Sequence, residues 1–123
     1  MHPECIIFDE STAMLDPRGR HEVLGIMKRL SRDRGITVID ITHLMEEAAQ
    51  ADRIIVLNRG KVEGDGTPDE VFLNRDLISR AGILPPQSAR LLSEVEKRGF
   101  PVGKATDPER AASLIADYYF NRR

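Results

Sequence analysis

The chain has 123 residues, 41% of them apolar, with 5% aromatics and no Trp, enough for one domain of ordinary size with a mostly aliphatic core. Its 18 Lys and Arg against 20 Asp and Glu leave a net charge of -2, without the surplus of positive charge that grips nucleic acid. A single cysteine rules out a disulfide framework and suits a reducing compartment, and no charged-then-apolar leader or run near the ~20 residues of a membrane span is expected.

Cys5 to Phe8 is a short, continuous, Ile-rich run that predicts a buried strand, with Cys5 as a small buried hydrophobe. It ends in two adjacent carboxylates, Asp9 and Glu10. Asp16-Pro17 predicts an N-cap followed by Pro at the first helical position. Val23, Leu24, Met27 and Leu30 then recur at helical spacing, so this helix buries one stripe, and Gly35 ends it as a left-handed cap. Thr37 to Ile41 is the next strand, Thr42-His43 follows it directly, and 44–51 predicts a short second helix. Arg53 to Asn58 is a third strand. Arg59-Gly60 is a turn, and Lys61 to Glu63 returns as a hairpin arm that Gly64 and Gly66 break. Thr67-Pro68-Asp69-Glu70 is a capping box at a helix start, typically worth ~1 kcal/mol.

The character changes near Ile83. Pro85-Pro86 is a linker or rigid turn. Two helices follow, over 88–98, burying Leu91, Leu92 and Val95, and over 107–120, burying Ala111, Leu114, Ile115 and Tyr118. His2 and His21 lack partners at ligand spacing and are expected on the surface, while Met14, Met27 and Met45 are expected in packing. The order strand–helix–strand–helix–strand predicts an α/β fold with neighbouring parallel strands, followed after residue 83 by a helical tail.

Adjacent residues at a strand end point in different directions, so Asp9 and Glu10 can reach two different things. A hard cation such as Mg²⁺ takes oxygen ligands, often through its own waters. A neighbouring carboxylate can orient or deprotonate an attacking water. The pair could equally be a solvated strand end. His43 bears on the choice. It comes one strand–helix–strand unit after Glu10, and both lie just past the C-terminal end of a predicted parallel strand. If those strands are neighbours, both side chains face the sheet edge at which ligands bind in open α/β folds. A His there could donate to a terminal phosphate oxygen; otherwise it is a helix-start or core histidine. Asp16 caps its helix on any reading.

These pieces together resemble the ATP-binding cassette (ABC) ATPases. An apolar strand ending in Asp9-Glu10 is similar to their Walker B motif, Ala13-Met14-Leu15-Asp16 to their D-loop, and Thr42-His43 to their switch histidine. Ala51 to Phe72, ADRIIVLNRGKVEGDGTPDEVF, resembles the closing hairpin of the family and the helix after it. The resemblance implies that Asp9 holds Mg²⁺ through its water shell, that Glu10 is the general base or positions the water, and that His43 contacts the γ-phosphate of ATP. It places Asp16 at the interface with a second ABC ATPase domain. Ser11, where most of the family has Pro, together with the stretch Leu84 to Val102, resembles the ATPase subunits of energy-coupling-factor (ECF) importers of cobalt, nickel and vitamins. The implied fold is the second half of a P-loop NTPase domain over 1–83, with a helical C-terminal extension over 84–123. The implied setting is the cytoplasmic face of a membrane, reached through a transmembrane coupling protein.

The 123 residues contain no GxxxxGK[ST] phosphate loop, no glutamine loop and no LSGGQ-type signature. The chain is therefore expected to be the C-terminal half of such an ATPase domain, unable by itself to bind or hydrolyse ATP. The alternative is a non-catalytic dimerisation or regulatory module derived from one. A helicase-type P-loop NTPase fits less well, because the chain lacks a basic surface and carries the closing hairpin.

Overall fold

The computed structural model describes residues 2–121; Met1 and the last two positions of the expected 84–123 extension lie outside the described residues. The chain divides into two compact units, one running up to Ala48 and the other starting at Ala49.

In the first unit, β1 (Cys5–Asp9) and β2 (Thr37–Ile41) pair in parallel, from Cys5 opposite Thr37 to Asp9 opposite Ile41. The connection between them is α1 (Pro17–Arg34), which packs on β2. Asp16 caps α1 by accepting from the Gly19 N–H at 2.8 Å. Gly35, at φ 64°, ends it by donating to the Leu30 carbonyl. Met27 is buried, and Val23, Leu24 and Leu30 are half-buried, as the helical spacing predicts. Thr42 Oγ1 accepts from the Leu44 N–H at 3.0 Å and opens α2 (Met45–Ala48), a single turn rather than the longer helix expected over 44–51.

The expectation of a buried first strand is corrected. Cys5, Ile7 and Asp9, with Thr37, Ile39 and Ile41 opposite them, are exposed, while Ile6, Phe8, Val38 and Asp40 are half-buried. A parallel sheet needs cover on both faces, and this unit supplies one long helix. Met14 is likewise 96% exposed rather than packed.

In the second unit, β3 (Ile54–Asn58) and β4 (Lys61–Gly66) form a two-stranded antiparallel hairpin. Arg59 at φ 51° and Gly60 at φ 76° make the two-residue turn whose twist suits a hairpin. Arg53 grips Asp65 with two hydrogen bonds of 2.7 and 2.6 Å. Hydrogen bonding to that guanidinium holds the Asp65 carboxyl below its usual range. β4 continues through Gly64 and Gly66, which were expected to break it. At Gly64 a side chain would collide with Leu77: an added Cβ would lie 2.6 Å from Leu77 Cδ2. The glycine permits a close approach rather than a break.

The capping box at Thr67 and Glu70 is present and starts α3 (Pro68–Phe72). Asn74 then caps α4 (Arg75–Ala81), and Gly82 ends it at φ 67°. Val71, Phe72 and Leu77 are buried beside the hairpin. Further along, α5 (Gln87–Lys97) and α6 (Pro108–Phe120) enclose Leu92, Val102, Ala105 and Ala111, flanked by Val95, Leu114, Ile115 and Tyr118. Leu91 is 53% exposed, not buried. One helical residue from Leu92, it is rotated about 100° away from that cluster. Thr106 Oγ1 donates to Asp69 at 2.5 Å and ties the segment before α6 to α3. No helix among the described residues is long and apolar enough to cross a membrane.

Candidate active site

Glu10 is the first residue beyond β1. Its N–H donates to the Ile41 carbonyl at 2.8 Å, so the ladder between the parallel strands runs one step past the strand end. Its carbonyl accepts from the Ala13 N–H at 3.3 Å, closing a tight turn. Glu10 itself takes φ 51°, in the left-handed region that residues other than glycine seldom occupy. Such a conformation costs on the order of 1–3 kcal/mol and persists where surrounding contacts over-determine it.

His43 leaves β2 at the matching position. Its Nδ1 lies 2.8 Å from Glu10 Oε2, and both side chains are partly open to solvent, at 69% and 42%. The structure thus brings together two of the residues that the sequence singled out. A carboxylate only accepts, so the Nδ1 carries the proton in this contact and Nε2 is left for another partner. Asp9 ends β1 opposite Ile41 and is exposed, and among the described residues its carboxylate has no hydrogen-bond or ion-pair partner. Asp16 is exposed too, and its Oδ1 is engaged with the Gly19 N–H. Neither contacts the Glu10–His43 pair.

Sequence reasoning missed three nearby residues. Thr12 and Glu47 are 2% and 5% exposed, and Thr12 Oγ1 donates to Glu47 Oε1. The other oxygen of Glu47 is buried without a partner among the described residues. The Thr12 carbonyl accepts from the Leu15 N–H at 3.1 Å and from Arg20 Nε at 3.4 Å. Asp40, half-buried on β2, has its carboxyl pushed up by burial and then by the charges of Glu47 and Glu10. A signal for Glu47 lay in its spacing, about one helical turn beyond His43.

Among the described residues no three or more His, Cys, Asp or Glu gather where they could hold a metal ion. A lone exposed carboxylate such as Asp9 still fits Mg²⁺, which keeps several waters and is commonly held by one or two carboxylates plus substrate phosphates.

The chain is similar to ATP-binding proteins of energy-coupling factor transporters. It is 50% identical over 102 residues to the energy-coupling factor transporter ATP-binding protein EcfA1 of Caldanaerobacter subterraneus subsp. tengcongensis, a match covering 83% of this chain and 37% of that protein. To the protein of the same name in Lacticaseibacillus paracasei it is 48% identical over 114 residues, 92% of this chain and 41% of the relative. The chain thus spans little more than a third of the length of these relatives. The solved structure of cbiO1 from Clostridium perfringens, described as part of the ABC transporter complex cbiONQ, superposes with a TM-score of 0.54 at 33% identity, over 65% of this chain and 32% of that one. The fold class is thereby that of ABC ATPase domains, α/β with parallel and antiparallel strands. No protein-family model matches the chain.

Proposed function

We infer that the chain is a portion of an ABC ATPase of the energy-coupling-factor type, and that it supplies the residues that handle the attacking water and the γ-phosphate. The observation that carries this reading is the Glu10–His43 pair, bonded at 2.8 Å beyond the C-terminal ends of two parallel strands, in a chain whose relatives are ATP-binding proteins of such transporters. Residues 1–83 belong to the ATPase domain and 84–123 to its C-terminal extension. In the whole protein this subunit hydrolyses ATP to drive an ECF-type membrane importer. It sits at the cytoplasmic face, against a second ABC ATPase domain and a transmembrane coupling protein.

The side chains divide the work. Glu10 accepts a hydrogen bond from the attacking water and orients it or takes its proton. With Nδ1 committed to Glu10, His43 has Nε2 to turn towards a phosphate oxygen. The bond between them fixes the separation of the water-binding and phosphate-binding groups, and such positioning is most of what this reaction needs. Bound MgATP supplies the electrophilic phosphorus and a cation that spreads its charge; Asp9 would hold that ion through its water shell. Asp16, beyond its capping role, faces the second domain and couples the two sites.

The 123 residues lack the phosphate loop, so the pure chain should show no saturable MgATP binding at micromolar concentrations, which a titration with MgATP checks. The test is Glu10→Gln in a complete ATPase domain that includes this segment. Turnover should fall at least ~10²-fold with ATP binding spared, the usual weight of a positioned base. Near-normal hydrolysis by that variant would overturn the assignment.

A further inference from the structure

Glu10 and His43 sit on two segments that share no covalent connection shorter than α1 and β2. Their direct bond is partly open to solvent, where a lone contact of this kind is weak. A second cross-link joins the same two segments: two residues beyond Glu10, Thr12 donates to Glu47, which lies four residues beyond His43. Unlike the first, this link is buried, with Thr12 and Glu47 at 2% and 5% exposure.

Thr12 is also the best-anchored residue of the loop. Its carbonyl accepts from Leu15 and from the Arg20 side chain of α1. One carbonyl, one hydroxyl and the Glu10–Ala13 turn therefore pin the chain immediately after Glu10. The left-handed backbone of Glu10 needs over-determination of this kind. The buried carboxylate of Glu47, which has one oxygen unpartnered, costs free energy where it stands. A buried polar group retained at a cost fits a specifying role better than a stabilising one.

We propose that Thr12 and Glu47 form a positioning clamp: their buried hydrogen bond sets the register between the loop that carries Glu10 and the turn that carries His43, and so holds the Glu10–His43 pair at bonding distance. Neither residue touches the reacting atoms. The proposal deepens the ATPase reading, but its test does not depend on activity.

The experiment is ¹⁵N NMR of the His43 imidazole in the 123-residue chain at one fixed pH, which reads the fraction of histidine carrying its proton on Nδ1 towards Glu10. Glu10→Gln gives the reference for a weakened pair. Thr12→Val, which keeps the shape and removes the hydroxyl, should lower the ratio of Nδ1-protonated to Nε2-protonated His43 by about fivefold, the population shift carried by one net hydrogen bond. Thr12→Ser should restore it. Glu47→Gln, which retains an acceptor oxygen, should fall between the two. An unchanged His43 signal in Thr12→Val would overturn the clamp whatever Glu10 does in catalysis. Loss of the folded circular-dichroism spectrum in both Thr12→Val and Glu47→Gln would overturn it too, assigning the pair to stability alone. Failure of the ATPase reading shows separately, as normal turnover of Glu10→Gln in the complete domain.

Discussion

Asp40 shows how single residues around the site work against stability. It lies on β2 opposite Phe8, and burial followed by the charges of Glu47 and Glu10 raises its pKa above the ordinary 3.8. The folded chain therefore keeps this proton to a higher pH than the unfolded chain. Through the window from 3.8 up to the raised value, the native state binds more protons, so stability falls as pH rises and stays lower above it. Asp40→Asn removes that cost. Its melting temperature should exceed the wild type's near neutral pH, and the gap should close in acid below the ordinary carboxylate range. Equal melting temperatures at neutral pH would mean that the native state does not penalise this charge. Residue-scale features that depend on near neighbours were legible in the sequence: Asp16 and Thr67 cap helices through bonds three residues long. Glu10 and His43 were legible because strand ends repeat at the spacing of one strand–helix–strand unit. Thr12 and Glu47 were not. They are 35 positions apart, carry no periodic pattern, and set a Glu where Glu is seldom fully buried.

At the level of elements, the helices followed from their caps and stripes, and the surprises came from tertiary contacts. Gly64 read as a strand breaker because glycine disfavours strands. In the structure it is the place where Leu77, 5% exposed, presses against β4. Its backbone lacks the positive φ that demands glycine, so an alanine there tests packing alone. Gly64→Ala should destabilise the second unit by about 1–3 kcal/mol, the usual cost of overpacking. Leu77→Ala alone should cost about 2–5 kcal/mol by opening a cavity. With Leu77 already trimmed, Gly64→Ala should become close to neutral, and denaturant unfolding of the four proteins gives the coupling. Additive effects would show that some other neighbour excludes a side chain at Gly64. Leu91 and Leu92 carry the same lesson in a helix: both are apolar, and only the second meets the cluster around Val102 and Ala111.

For the molecule as a whole, the chief misreading was the burial of β1, and its cause is physical. An Ile-rich run predicts a strand covered on both faces, because parallel sheets are covered on both faces. Here one face of a two-stranded sheet carries Ile7, Ile39 and Ile41 at 61%, 45% and 48% exposure. Two strands are marginal without further support, and a contiguous apolar face marks a surface that some other protein element covers. In isolation the available cover is a second copy. About half of three isoleucine side chains remains to be buried, worth roughly 2–4 kcal/mol. A pair of copies buries such a face on each partner and roughly doubles that gain, and against the entropy of association this supports at most weak pairing, with dissociation constants no tighter than about a millimolar. Sedimentation of the isolated chain should therefore show an apparent mass that rises with concentration near that range. Ile39→Lys, which places a charge in the middle of the exposed face, should hold the chain monomeric at the same concentrations without changing its circular-dichroism spectrum. If Ile39→Lys self-associates as readily as the wild type, the face formed by β1 and β2 is not the surface through which copies meet.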